Sequence, residues 1–418
     1  MKKRAIIITG IIVGFLALCA VVALLIIPKD KLNKNNTLTI AYYNVNQSIQ
    51  TSLTDLIQEY EQQNEKRLIV YEINDKTSLS EQIKKNKIDL IFAPAGYAVN
   101  KTVALSDEAT NIPSELLRQM FSTMYEAAIR KGQSIKAIPL IFDNLEIDIE
   151  KSEFYMSGLE SISTWEEIER FLQIQKSKHQ NDGIFPMSFA GSDPVLLLDI
   201  IGAFGEAFEG LESYNKAVEI LTQAAAAGTS FNAKETANKL FIDAYAPLAY
   251  SFSYLKQFVK QGYVTPSYKV LRNTDINSFL QQRVTNLIIT NLSTHRTFDV
   301  KAISRYSSIF VPSKKRPEQR HFTANITYAV PVSSNKNDLT NSLLEYLVAT
   351  SVQSELSNRT GLAPVLANCS TPDLQADDAR YWIAATSTPL AGLGHEAEFS
   401  EDQLQALKNA IIELMNGI

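Results

Sequence analysis

From Thr37 onward, short runs with a two-residue period alternate with longer runs of helical period. Thr37-Leu38-Thr39-Ile40-Ala41-Tyr42-Tyr43 alternates and is rich in β-formers, which predicts a first strand. Residues 52–63 place Leu53, Leu56, Ile57 and Tyr60 at i, i+3, i+4 and i+7, an amphipathic helix. Leu68-Ile69-Val70-Tyr71-Glu72-Ile73 predicts a second strand, residues 80–87 a short helix, and residues 88–93 a third strand halted by Pro94. Strand, helix, strand, helix, strand is the pattern of parallel βαβ units. Ligands in such sheets sit beyond the carboxyl ends of the strands, which singles out the loops at Tyr43-Asn44 and Pro94-Ala95-Gly96-Tyr97.

A helix over 113–131 is expected next. Ile138-Pro139-Leu140-Ile141-Phe142-Asp143-Asn144 then leads into Leu145-Glu146-Ile147-Asp148-Ile149-Glu150. There the apolar residues fall on one face and the three carboxylates on the other, the pattern of a half-buried strand. The chain is mostly helical to about Asn286: 165–175 behind the cap Ser163/Thr164, the Ala-rich 211–227, and 233–260 broken at Pro247. Strands return at 284–290, 308–312 and 327–332, and helices at 339–357 and 401–415.

The amino-terminal end is different. Lys2-Lys3-Arg4 precede 23 residues, Ala5 to Ile27, that carry no charge. As a helix this run spans roughly 34 Å, enough for a hydrocarbon core of about 30 Å. Pro28 stops it, and an Asn-rich linker follows to about Asn36. The positive-inside rule puts Lys2–Arg4 in the cytoplasm and the rest outside it. The expectation is an uncleaved signal anchor, a single membrane pass with an extracytoplasmic body. Two alternatives stay open: lipidation at Cys19 within Leu16-Ala17-Leu18-Cys19, and a cleaved signal peptide.

At 418 residues the chain is long enough for two domains, and 45% apolar with 20% charged residues is globular composition. Lys and Arg number 40 against 45 Asp and Glu, a net −5, and without the three leading cations −5 − 3 = −8. So acidic a body is a poor partner for nucleic acid. Two cysteines give no disulfide framework, and four scattered histidines no His-built metal site. No phosphate-binding Walker loop, zinc-protease motif or nucleophile elbow occurs, and no cofactor signature.

The order of several short motifs resembles that of extracellular solute-binding proteins of family 1, the maltose- and oligosaccharide-binding receptors of ABC importers. Ile138-Pro139-Leu140…Asp143 is followed by Gly158-Leu159…Ser163-Thr164-Trp165-Glu166-Glu167-Ile168. Later come Phe258…Gly262-Tyr263-Val264-Thr265-Pro266, Phe310-Val311-Pro312, and Tyr328-Ala329-Val330-Pro331…Asn335-Lys336-Asn337 before Gly361-Leu362-Ala363-Pro364. Gln281-Gln282-Arg283-Val284-Thr285 departs from the family's Gly-Lys-x-Ala-Met core. The resemblance runs from Leu38 to the carboxyl terminus and implies a distant member. It implies an α/β two-lobe periplasmic-binding-protein fold of type II, with a hinge that closes on ligand.

The expected layout is an anchor at 1–28, a linker at 29–37, an N-lobe from 38–143 and 292–336, and a C-lobe from 144–291 and 337–418. Crossings are expected near 142–145, 289–292 and 334–336. The implied function is capture of a small solute, a carbohydrate above all, for ABC permease subunits. A sensor for a membrane signalling partner and a surface glycoside hydrolase using Asp143 and Asp193 are the alternatives.

Each candidate ligand contact has a plainer reading. Tyr43, Asn44 and Tyr97 sit at strand ends, as ligand contacts or as loop residues. Asp143 and Asn144 lie on the first crossing, where they meet either a ligand or a hinge backbone group. Asp193 caps the helix of Val195–Phe204 or accepts from ligand. Asn291 ends a strand. Trp382, with Tyr381, and the run Tyr245, Tyr250, Phe252, Tyr254 stack on a sugar face or fill a core. Trp165 reads as structural.

Overall fold

A computed structural model of the chain describes residues 36–73, 77–314, 322–385 and 389–417. The anchor, most of the linker and Cys19 lie outside the described residues, and among those described no helix is long and apolar enough to cross a membrane.

The first three strands, β1 (Thr37–Tyr42), β2 (Arg67–Glu72) and β3 (Leu90–Pro94), form a parallel set with β1 in the middle. The connecting helix Gln47–Asn64 buries Leu53, Leu56, Ile57 and Tyr60 against them, the residues at helical spacing in the sequence. The helix expected over 113–131 is not continuous. A 3-10 turn at Ser114–Leu117, a helix at Ser122–Ala127 and the strand β4 (Ile129–Lys131) replace it. β4 turns through Gly132 into β5, pairing Lys131 with Ser134, and Gly132 has φ +62°, the left-handed geometry a two-residue hairpin demands. The helical pattern of 113–131 lost to this local turn.

β5 (Ser134–Glu150) is 17 residues long and belongs to two sheets at once. β6 (Ser188–Phe189), β7 (Leu287–Asn291), β8 (Tyr306–Phe310) and β9 (Phe322–Pro331) complete the framework. Residues 138–144 of β5 pair antiparallel with β9, which pairs in turn with β3. From Leu145 to Glu150 the same strand pairs with β7 and β8. The continuous order is β2-β1-β3-β9-β5-β7-β6.

Two apolar cores follow. One packs around Ile40, Leu90, Phe92, Ile138 and Phe142. The other packs around Ile147, Trp165, Phe204, Phe258 and Ile289. β5 passes between them at Asn144–Leu145. The chain returns to the first lobe between Val311 and Ala324, and to the second between Ile383 and Leu390. These two passages differ from the expected 289–292 and 334–336. After β7 Leu292 touches the first core, but Phe298 and Ile303 pack in the second and the chain returns to β8 on the same sheet, so the second lobe keeps this stretch. Beyond Lys336, which pairs with Asp89 at 2.8 Å, Leu343, Leu344 and Leu347 pack into the first core. The first lobe therefore takes 337–383 as well.

Trp165 starts helix Trp165–Lys178 behind a capping box, in which Thr164 Oγ1 accepts from the Glu167 amide and Glu167 Oε2 from the Thr164 amide. Its ring is buried 4.0 Å from Phe204, so its role is packing. The face of β5 expected to be polar and exposed is not exposed. Glu146 and Asp148 are both 0% accessible, because His295 and Gln375 close over them.

Candidate functional site

The two lobes meet around a cavity of about 290 Å³. Its floor is the pair of crossing strands, with Asp143 and Leu145 from β5 and Thr323, Asn325 and Thr327 from β9. The first lobe adds Asn44 and Pro94 from the carboxyl ends of β1 and β3, the position the βαβ pattern singles out. The second lobe adds Asp193 and Asp199 from the start of helix Pro194–Glu209, Asn291 from the end of β7, and His395. Asn44 also lines an outer cavity of about 700 Å³, with Tyr43, Tyr97, Lys101 and Glu398. Small-molecule pockets span roughly 300–1,000 Å³, so the two hollows are of ligand size.

Six of the eight candidate residues converge on these hollows. Asn44 takes φ +57°, a backbone tolerated by asparagine, and its Nδ2 donates to Tyr97 Oη at 2.5 Å. The rings of Tyr43 and Tyr97 stand perpendicular, 6.4 Å apart. Asp143 accepts from the Ser293 amide at 2.8 Å and from its hydroxyl at 2.5 Å, so it ties β5 to the turn after β7 and also faces the cavity. Asp193 caps its helix, accepting from the amides of Val195 and Leu196 at 2.9 and 3.2 Å, and it too lines the cavity. Asn291 precedes the short helix without capping it through its side chain.

Asn144 and Trp382 lie elsewhere. Asn144, one residue on from Asp143, points to the opposite face of β5 and is 0% accessible. Trp382 packs against Phe310 at 5.5 Å and against the first core. In the aromatic run, Phe252 is in the second core, Tyr254 leans on Phe208 at 4.6 Å, and Tyr245 is fully exposed. None of these three lines either hollow.

Burial sets the protonation of the inner cavity. It raises the Asp143 carboxyl to about 6, against the opposing bonds from Ser293. It raises Asp199 well above the usual carboxylate range, although the Gly394 amide donates to it at 2.9 Å. It lowers the His395 imidazole to about 4, so this ring is neutral at pH 7. At pH 7 the cavity therefore combines a neutral imidazole with an Asp143 that is mostly the carboxylate.

Across the hollows the lobes touch. Lys101 of the first lobe pairs with Glu398 of the second, and Asn325 Nδ2 lies 3.1 Å from His395 Nε2. Gly96, at φ +87°, lies against the His395 carbonyl so closely that a Cβ would stand 2.1 Å from that oxygen. Only glycine fits there.

Asp199, His395, Asn325, Lys101 and Glu398 escaped the sequence reading. Gly392-Leu393-Gly394-His395 held the available signal: two glycines in a stretch with no helical or strand period. The Gly394 amide reaches Asp199 at 2.9 Å, and a Cβ on Gly394 would collide with the Val195 carbonyl.

No family model and no curated protein sequence matches the chain. Solved structures do. The chain has the two-lobed fold of the solute-binding proteins. The bacterial solute receptor AcbH superposes with a TM-score of 0.70 at 12% identity, over 91% of this chain and 92% of that one. The binding protein MsmE of Bacillus subtilis, in an open conformation, gives 0.67 at 14% identity over 91% and 93%. RafE of Streptococcus pneumoniae gives 0.62 at 15% identity over 91% and 95%. At such identities the likeness is one of fold.

Proposed function

We propose that this chain is an extracytoplasmic receptor that captures a small carbohydrate between its lobes and delivers it to an ABC importer, held at the membrane by residues 5–27. The observation that carries the binding role is the interlobe hollow itself. Two lobes joined by crossing strands enclose it, and side chains from both converge on it. Asn44, Asn291, Asn325 and Asp193 present donors and acceptors suited to hydroxyls, and Tyr43 and Tyr97 offer apolar ring surface beside them. Proteins of this fold support a sugar as ligand: AcbH prefers β-D-galactopyranose, and RafE is known in complex with raffinose.

Catalysis fits the cavity less well. Glycoside hydrolysis needs one carboxyl free to protonate and another to attack or activate water. Asp143 is held by two bonds from Ser293, and Asp193 is engaged as a helix cap. The test is titration calorimetry of the full-length chain in detergent against mono- and oligosaccharides, amino acids and polyamines. A sugar is expected to bind at one per chain, with affinity reduced at least tenfold by Asn44→Ala. Binding of no sugar sinks the carbohydrate assignment, and binding of no solute at all sinks the receptor role.

A further inference from the structure

On the face of β5 away from the interlobe hollow lies a buried polar cluster that no part of the receptor role uses. Glu146 and Asp148 alternate along the strand, and both are 0% accessible. His295, from the turn after β7, brings Nδ1 to 3.0 Å from Glu146 Oε1 and 3.0 Å from Asp148 Oδ2. Gln375, from the first lobe, places Nε2 2.8 Å from Glu146 Oε1 and 3.0 Å from His295 Nδ1. The Ser308 hydroxyl donates to Asp148 Oδ1 at 2.5 Å.

Hydrogen bonds within the protein leave this cluster incomplete. Glu146 Oε2 is buried without a partner among the described residues, although the carboxyl is aimed at the imidazole. Thr290, opposite Glu146 in the β5–β7 register, has a buried Oγ1 that is equally unpartnered. Both amide atoms of Asn144, the next residue along this face, are unpartnered as well. Such orphans are rare in folded proteins, and here they gather beside the carboxylate–imidazole contact. The neighbouring cations are committed elsewhere. Arg296 serves Asp373 and the Gly361 carbonyl, and Lys151 serves the Ser304 carbonyl. Two buried carboxylates therefore face a single imidazole. Nδ1 also cannot donate to both carboxylates and accept from the Gln375 amide at once.

We infer that Glu146, Asp148 and His295 form a binding site for one divalent first-row transition cation of the Zn²⁺ type. One imidazole nitrogen and two carboxylate oxygens suit such an ion better than Mg²⁺ or Ca²⁺, which prefer six or more oxygens. The ligand atoms already lie within 4.8 Å of one another. Ligands about 2.0–2.2 Å from a tetrahedral ion stand about 3.3–3.6 Å apart, so the 3.0 Å separations need to open by only a few tenths of an ångström. A dication neutralises both carboxylates and takes the imidazole as a neutral ligand. Turning the Gln375 amide offers its oxygen at the fourth position. A hollow of about 540 Å³ bordered by His295, Ser308 and Gln375 gives the ion a way in. Because Gln375 belongs to the first lobe and the other ligands to the second, the bound ion would fasten the rear of the hinge. This site does not depend on the identity of the solute.

The test uses the untagged full-length chain in detergent, stripped with chelator and dialysed. Calorimetry and elemental analysis are expected to show one Zn²⁺ per chain, with a rise in melting temperature of roughly 2–5 °C at saturating metal. Equal concentrations of Mg²⁺ or Ca²⁺ should give no rise. Glu146→Gln and His295→Gln should each weaken uptake more than tenfold, whereas His179→Gln, at a histidine paired with Glu153 and Asp182 elsewhere on the second lobe, should not. Because the cluster variants risk misfolding, anomalous diffraction from Zn²⁺-soaked wild-type crystals provides the second measurement, with a peak expected between the three side chains. Absence of saturable uptake, or a peak elsewhere only, overturns the assignment and leaves an imidazolium held between two carboxylates.

Discussion

Gly96 offers the sharpest test of the closing motion. Its φ of +87° and ψ of −142° lie in a region open to glycine and costly for any other residue, by about 1–3 kcal/mol. Gly96→Ala meets that cost whether the lobes are together or apart, and it appears as lost stability in urea unfolding. A second cost exists only when the lobes touch. The new Cβ would stand 2.1 Å from the His395 carbonyl oxygen and 2.7 Å from its carbon. Ordinary carbon–oxygen contact is about 3.3 Å, so the two backbones must part by roughly 1.2 Å. The loop carrying His395 has no slack to give. Leu393 is 1% accessible in the second core, and Gly394 is bonded to Asp199 at 2.9 Å. The lobes must therefore separate, and apparent affinity falls with the fraction of closed molecules. A tenfold loss corresponds to about 1.4 kcal/mol, a low bound for a backbone collision of this depth. Small-angle scattering is the assay: wild type with ligand should contract, and the variant should keep the dimensions of the free protein. Identical contraction with unchanged affinity would refute the reasoning.

Three further outcomes follow from the geometry. In its folded state His395 binds protons less readily than in the unfolded chain, about 4 against 6.5, so it withdraws stability as pH falls from 6.5 towards 4. Asp143 binds them more readily, about 6 against 3.8, and adds stability as pH falls from 6 towards 3.8. The two oppose each other, so His395→Asn should gain about 2–3 kcal/mol relative to wild type between pH 7 and 4.5 in urea titrations; a constant difference would show that the ring is not desolvated. Trp165→Ala should cost about 3–5 kcal/mol while leaving ligand affinity within twofold, since the ring touches Phe204 and Phe258 and not the hollow. Lys101→Ala should change stability by less than about 1 kcal/mol, because its pair with Glu398 is partly open to solvent; a larger loss would mean that this pair anchors the closed form.

The local elements were legible because each carries its own period. Leu53, Leu56, Ile57 and Tyr60 announce their helix, and Ser163-Thr164-Trp165 announces a cap. The site was legible as far as strand ends reveal it, since Tyr43, Asn44 and Tyr97 follow β1 and β3 whatever the tertiary detail. The two later passages between lobes were not. Whether the chain crosses after Asn291 or returns on the same sheet depends on which edge β8 finds, and β8 has no alternation to say so. Glu146 and Asp148 misled for a related reason. Alternation marks two faces, but only a residue distant in sequence, such as Gln375, decides that the polar face is covered. His395 and Asp199 meet across 196 positions, through a glycine-rich loop with no period of its own.

The division of each core among separate stretches of chain has a consequence for biosynthesis. The second core opens with Leu145 and is completed by Leu407, Ala410, Ile411 and Met415 of the closing helix Glu401–Asn416. At about 5–20 residues per second, roughly 14–54 seconds separate the synthesis of those two ends. During that interval the nascent polypeptide carries an apolar surface that its own last core helix has not yet sealed.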